Sequence, residues 1–194
     1  MTRIIAGAAG SLRLKAPDKV SRPTSDRVRE AIFSRLESLM DMEGAAVLDL
    51  FAGTGALGLE AASRGARSVW LVENHPGAAS VVKANIQSVA KALTHAPTLQ
   101  ASTTSVASFL SGGAPGDISV AFLDPPYDYS SATLDDHLVA LMSWLDDDAV
   151  VIVERSSKGT PPQFPDGYEE LTPKTYGDTT VYWARFLKGS QPPL

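Results

Sequence analysis

The chain of 194 residues contains no cysteine. That excludes disulfides, thiolate metal sites and a cysteine nucleophile. Histidine is nearly as scarce: His75, His95 and His137 stand far apart, without the spacing that metal ligands take, and no metal is expected. No apolar run approaches the roughly 20 residues of a membrane span, and the N-terminus lacks the apolar core of a secretory signal. A cytoplasmic protein without a membrane partner is therefore expected. Repeats and low-complexity tracts are missing as well. With 44% hydrophobic and 20% charged residues, the composition is that of an ordinary globular domain with a substantial core.

Positive charge is in deficit, with a net charge of −5, yet it is concentrated at one end. Residues 1–35 hold eight Lys/Arg against three Asp/Glu, which leaves +5 there and −10 over the rest. A basic segment on an acidic body suits a protein that meets a polyanion with one face. The alternative is a solvated charged helix.

The pattern along the chain divides into an extension (1–44), a main domain (45–188) and a frayed tail (189–194). In the extension, Arg3–Gly7 and Ser11–Leu14 predict a short hairpin. A helix follows from Thr24 or Ser25, with Val28, Ile32, Leu36 and Leu39 at helical spacing. From Ala45 onward strands and helices alternate. Strands are expected over 46–51, 68–73, 98–101, 118–124 and 149–154, and helices over 57–64, 76–91, 105–110 and 133–144. Apolar strands separated by helices predict a mostly parallel, Rossmann-like α/β sheet. Two final strands, 168–176 and 179–187, meet at Gly177-Asp178 in an antiparallel hairpin.

Two motifs carry the chemistry. Asp49-Leu50-Phe51-Ala52-Gly53-Thr54-Gly55-Ala56-Leu57-Gly58 follows the first strand of the sheet and opens a helix. Its G-x-G-x-x-G spacing fits a dinucleotide as well as other nucleosides, and Glu73, 20 residues after Gly53, suits a grip on ribose hydroxyls. Asp49 separates the options, since a carboxylate at that strand end repels a pyrophosphate and favours a cationic ligand. S-adenosylmethionine carries an ammonium and a sulfonium and no phosphate, and no basic residue lies in the loop. The candidate cofactor-binding residues are Asp49, Phe51, Ala52, Gly53, Thr54, Gly55, Glu73, Asn74, Ser105 and Val106.

The second motif is Asp124-Pro125-Pro126-Tyr127, at the end of the run Ile118–Leu123. Two prolines stop a strand ladder and leave carbonyls free to face a ligand. A carboxylate on one side and an aromatic ring on the other make a slot for an amine on a flat ring. The competing reading is an Asp-Pro turn with a packed tyrosine. Paired with a methyl-donor loop, the slot suits methylation of a nucleobase amine. Asp124 and the Pro125 carbonyl would accept its N–H bonds, and Tyr127 would stack on a base that is flipped out or already unpaired.

Three blocks together resemble the RsmD family, bacterial guanine-N2 methyltransferases of 16S ribosomal RNA. They are Arg22-Pro23-Thr24-Ser25-Asp26-Arg27-Val28-Arg29-Glu30, the loop Asp49–Gly58 with its continuation to Ala66, and Asp124–Tyr127. The resemblance implies a class I methyltransferase fold and S-adenosylmethionine bound by Asp49, Gly53, Gly55 and Glu73. It also implies a guanine pocket at Asp124–Tyr127, and as partner the small ribosomal subunit or its assembly intermediate. In one place the chain departs from its relatives, with Ser105-Val106 where Asp or Asn followed by Ala would meet the adenine amine. Arg22, Thr24, Arg27 and Arg29 are the candidate RNA contacts, although Arg27 and Arg29 are also spaced to pair with Asp26 and Glu30. Glu154 suits either the site or solvent. A monomer is expected. Rival readings are a DNA adenine or cytosine amino-methyltransferase and a non-catalytic assembly factor that binds S-adenosylmethionine or RNA. Only 67 residues follow Tyr127, too few for a target-reading DNA domain as well as the rest of the sheet.

Overall fold

A computed structural model describes residues 2–16, 25–113 and 117–189. Arg22, Pro23 and Thr24 lie outside the described residues, as do 190–194 of the expected tail. The first helix, α1 (Asp26–Leu39), is capped by Ser25, whose hydroxyl accepts from the Val28 amide. The main domain then alternates as expected: β1 (Ala46–Asp49), α2 (Ala56–Ser63), β2 (Ser68–Glu73), α3 (Pro76–Ala92), β3 (Thr98–Thr103), α4 (Val106–Leu110), β4 (Ile118–Leu123), α5 (Ser131–Leu141) and β5 (Leu145–Ser156). A turn of 3-10 helix at Met142–Trp144 leads into β5, and the chain closes with β6 (Tyr168–Tyr176) and β7 (Thr179–Phe186).

These strands form one seven-stranded sheet in the order β3-β2-β1-β4-β5-β7-β6. The pairs from β3 to β5 are parallel, and β7 lies antiparallel between β5 and β6. Side chains alternate across it. Val47, Val69, Val120, Phe122, Ile152 and Trp183 face a core shared with α1, α2 and α3. Leu48, Val72, Ala121, Leu123 and Val153 face a second core under α4 and α5. The order reverses between β1 and β4, so the crevice at their carboxyl ends is where an open α/β sheet takes its ligand.

The expected N-terminal hairpin is a looser thing than two strands. One antiparallel bridge joins Arg3 to Arg13, and a turn fills the space between. The physical reason is that several of its amides bond to side chains of α2 instead of to a partner strand. Ile5 and Ala6 donate to the two oxygens of Glu60 at 2.6 and 3.0 Å, and Ala9 donates to Ser63 Oγ at 2.9 Å. Ile4, Leu14, Ile32 and Phe33 then join the same core as Val47 and Leu59.

Glu60 is the hub of this junction. It is fully buried, receives Arg64 Nε at 2.9 Å, and stands 3.9 Å from Arg29 Nε, itself fully buried. Removing it leaves two amides without that acceptor and the buried Arg29 charge with Asp26 as its remaining acid among the described residues. Breaking one side of such a buried pair costs about 3–5 kcal/mol. Urea unfolding of Glu60→Ala is expected to show a loss of that size, and a loss below about 1 kcal/mol would contradict the hub.

Candidate active site

The glycine loop leaves β1 and enters α2 through Gly55, whose φ of 80° favours glycine. Gly58 serves packing instead, because a Cβ there would stand 2.9 Å from Val69 Cγ1 in the sheet. A Cβ at Gly53 would meet nothing within 4 Å, so the loop there stays open to a ligand. Glu73, at the end of β2, accepts the Gly53 amide at 2.9 Å and the His75 amide at 2.7 Å, one on each oxygen. It therefore fixes the loop and keeps lone pairs for ligand hydroxyls.

Asp49 lies beneath the loop, 1% exposed. One oxygen accepts the Gly58 amide at 3.1 Å, and the other has no hydrogen-bond partner at bonding distance among the described residues. Burial pushes its pKa up to about 7, with backbone amides opposing and the charges of Asp124 and Glu73 adding to the rise. A half-satisfied buried carboxylate next to two others is the electrostatic complement of a cation, not of a phosphate.

Asp124–Tyr127 leaves β4 beside this loop. The Tyr129 amide donates to the Pro126 carbonyl at 3.0 Å, while no donor reaches the Pro125 carbonyl among the described residues. Tyr127 is 55% exposed and carries its ring at the mouth. Behind it, Phe51 meets Tyr129 edge-on with centroids 5.1 Å apart, and the Tyr129 hydroxyl lies 2.8 Å from His137 Nε2. Burial lowers the His137 pKa, against a smaller opposing effect of Asp136.

Gly53, Glu73, Asn74 and Asp124–Tyr127 line one cleft of about 980 Å³. Phe51, Ser105 and Val106 line it too. Asp49, Ala52, Thr54 and Gly55 support the loop from behind and are not among its walls. Ser105 caps α4, its oxygen accepting from the Ser108 amide at 3.2 Å while its proton goes to Ser108 Oγ at 3.0 Å. The extension contributes Ala16, Ser25 and Val28 to the lining, and the β6–β7 turn contributes Tyr176–Thr179. Glu154 faces the cleft and is 4% exposed, so the solvent reading of it does not hold.

Arg29 corrects an expectation. It is fully buried, donates to Asp26 Oδ1 at 3.0 Å and to the Arg3 carbonyl, and cannot present its charge to RNA. Arg27 is exposed and pairs with no acid among the described residues. The sequence reading missed Tyr129 and Arg155. Arg155 lines the cleft at the end of β5 and donates to the Tyr129 carbonyl at 3.0 Å and Ser131 Oγ at 3.4 Å, holding the segment after Tyr127. Its place next to Glu154 at a strand end was the available signal. Among the described residues no group of three His, Asp or Glu is placed to hold a metal ion.

The raised Asp49 pKa has a consequence for stability. The native state holds its proton more tightly than the unfolded chain, so the stabilisation is complete below about pH 4 and is lost as pH rises through about 7. At roughly 1.4 kcal/mol per unit, the loss is on the order of 4 kcal/mol. Urea midpoints from pH 4 to 8 should therefore decline less for Asp49→Asn than for the wild type. Parallel profiles would contradict the shift.

The family model described as Conserved hypothetical protein 95 matches residues 2–185. Ribosomal RNA small subunit methyltransferase D of Escherichia coli K12 is 34% identical over 84% of this chain and 79% of its own length. The Haemophilus influenzae protein of the same name is 32% identical over 90% and 89%. Among solved structures, Escherichia coli yhhF superposes with a TM-score of 0.82 at 30% identity, covering 96% of this chain and 98% of that one. An RNA methyltransferase from Salinibacter ruber, solved with S-adenosyl-L-homocysteine, shares the fold at a TM-score of 0.62 and 17% identity, covering 89% and 98%.

Proposed function

The chain belongs to the Conserved hypothetical protein 95 (RsmD) family, and from that premise we propose that it methylates the 2-amino group of a guanine in small-subunit ribosomal RNA. The observation that carries this reading is a single cleft walled by both the glycine loop and Asp124–Tyr127. Cofactor and amine slot would thereby be neighbours.

The residues fit S-adenosylmethionine. Asp49 offers a buried oxygen without a hydrogen-bond partner among the described residues, Gly53 an open approach to the backbone, and Glu73 spare lone pairs. When bound, that cofactor supplies a methyl group activated by positively charged sulfur. Glu73 would hold ribose hydroxyls, and Asn74, Val106 and the backbone near Ser105 would enclose the adenine. The Ser105 hydroxyl caps α4 with one lone pair and keeps a second, so it or the adjacent backbone would take the place of the acidic or amide side chain of relatives.

The chain's own part in the transfer is orientation and charge. A guanine 2-amino group is a poor nucleophile because its lone pair is spread into the ring. Asp124 and the Pro125 carbonyl would take its two N–H bonds, turning the lone pair out of the ring plane toward the methyl donor. Positive charge would grow on nitrogen as the methyl passes to it from sulfur, whose bond to the methyl breaks to leave a neutral thioether, and the Asp124 carboxylate would stabilise that charge and accept the departing proton. Tyr127 is exposed enough to stack on a base presented from outside, which requires the base to be flipped or unpaired. Arg22, Thr24 and Arg27, in the basic segment of the sequence, would meet RNA phosphates.

The test is methyl transfer to small subunits isolated without this modification. Wild type is expected to label them, and Asp124→Ala to lose at least about 10²-fold in rate while retaining S-adenosylmethionine affinity, the scale of an oriented electrostatic contact. Labelling of duplex DNA in place of ribosomal particles would support the DNA rival. Cofactor binding without transfer to any nucleic acid would support a non-catalytic assembly factor.

A further inference from the structure

Asn85, in the middle of α3, is 1% exposed and takes no part in the reaction described above. Its amide has three partners on two other segments. Oδ1 accepts the Lys15 amide at 2.8 Å, and Nδ2 donates to the Lys15 carbonyl at 3.0 Å and the Thr54 carbonyl at 2.8 Å. Only this orientation of the amide satisfies all three, since it faces one donor and two acceptors. Lys15 is the residue before Ala16, where the extension becomes a wall of the cleft. Thr54 lies between Gly53 and Gly55 in the loop that faces the cofactor.

We propose that Asn85 is a positioning residue that couples the two binding sites, so that a ligand in the glycine loop fixes the extension that receives RNA. The side-chain amide is one rigid plane. A shift of the Thr54 carbonyl re-aims Nδ2 and, with it, Oδ1 and the pair of bonds to Lys15. A ligand that immobilises the loop therefore restricts the extension, and the linkage is reciprocal. A helix surface could anchor the extension by apolar packing alone. A buried polar group bonded to both segments, and costly to leave unsatisfied, makes their positions depend on each other.

The RNA half of this inference rests on the function proposed above, so the experiment has one arm that does not. In the first arm, backbone hydrogen exchange of the wild type is followed with and without S-adenosylhomocysteine. The Lys15 amide, together with the neighbouring extension, is expected to slow at least about threefold when the ligand binds the loop. Asn85→Asp keeps the shape and the acceptor for Lys15 but loses both donated bonds. It should bind the ligand and show no slowing, and Asn85→Ala should behave likewise. In the second arm, affinity for small-subunit RNA is measured with and without S-adenosylhomocysteine. The ligand should tighten binding about fivefold or more in the wild type, with the ratio falling to near one in both variants. A purely structural Asn85 would lower the melting temperature and leave both ratios as in the wild type, which would overturn the proposal. So would unchanged exchange at Lys15 in the wild type. Slowing at Lys15 that depends on Asn85, in a protein with no affinity for the RNA, would uphold the coupling and sink the RNA reading alone.

Discussion

The parallel pairing of β1 with β4 is the constraint on which the site depends. Their register sets Asp49 against Phe122, so the segments after both strands emerge side by side from the carboxyl edge of the sheet. One becomes the glycine loop and the other Asp124–Tyr127. The motifs are far apart in sequence, and neither strand order nor loop chemistry could be shifted without separating them. The hydrophobic faces enforce the register, because a slip of one residue would turn Val47 and Val120 out of one core and Leu48 and Ala121 out of the other.

The same edge gathers carboxylates. Glu73, Asp124 and Glu154 line the cleft and Asp49 lies beneath it, in surroundings dry enough to raise the Asp49 pKa to about 7. This is a destabilising arrangement that a packed fold tolerates where a ligand will complete it. Amides of the protein itself relieve part of it, at Glu73 from Gly53 and His75 and at Asp49 from Gly58. What remains is negative potential at a cleft large enough for a nucleoside, with a rim formed by the basic extension.

Much of this was legible in the sequence. The alternation of strands and helices, the glycine loop, the Asp124 motif and the closing hairpin are local patterns, and each lies where periodicity and turn chemistry put it. Failures came where a tertiary partner overrode the local reading. Arg29 was a candidate RNA contact or a partner of Asp26, and the pairing is the reading that holds, because 29, 32, 33 and 36 form one face of α1 and that face is buried. The phase of the helix was the signal, and the habit of placing arginine outside concealed it. The N-terminal hairpin keeps one bridge and the backbone bonds of Ile4 with Leu12 and Ser11, while Glu60, more than 50 residues away, takes the Ile5 and Ala6 amides that a longer ladder would have used. Asn85 and Arg155 had no motif at all. Their roles exist only once the chain has brought Lys15, Thr54 and Tyr129 to them.

The central claim is that this cleft delivers a methyl group to one guanine amine of small-subunit ribosomal RNA. Nucleotide-resolution mapping of methylation in cells lacking the protein tests it most directly. The account predicts loss of N2-methylation at a single small-subunit guanine, restored by the wild-type chain and not by Asp124→Ala. An unchanged ribosomal RNA map, or a loss confined to DNA, would contradict it.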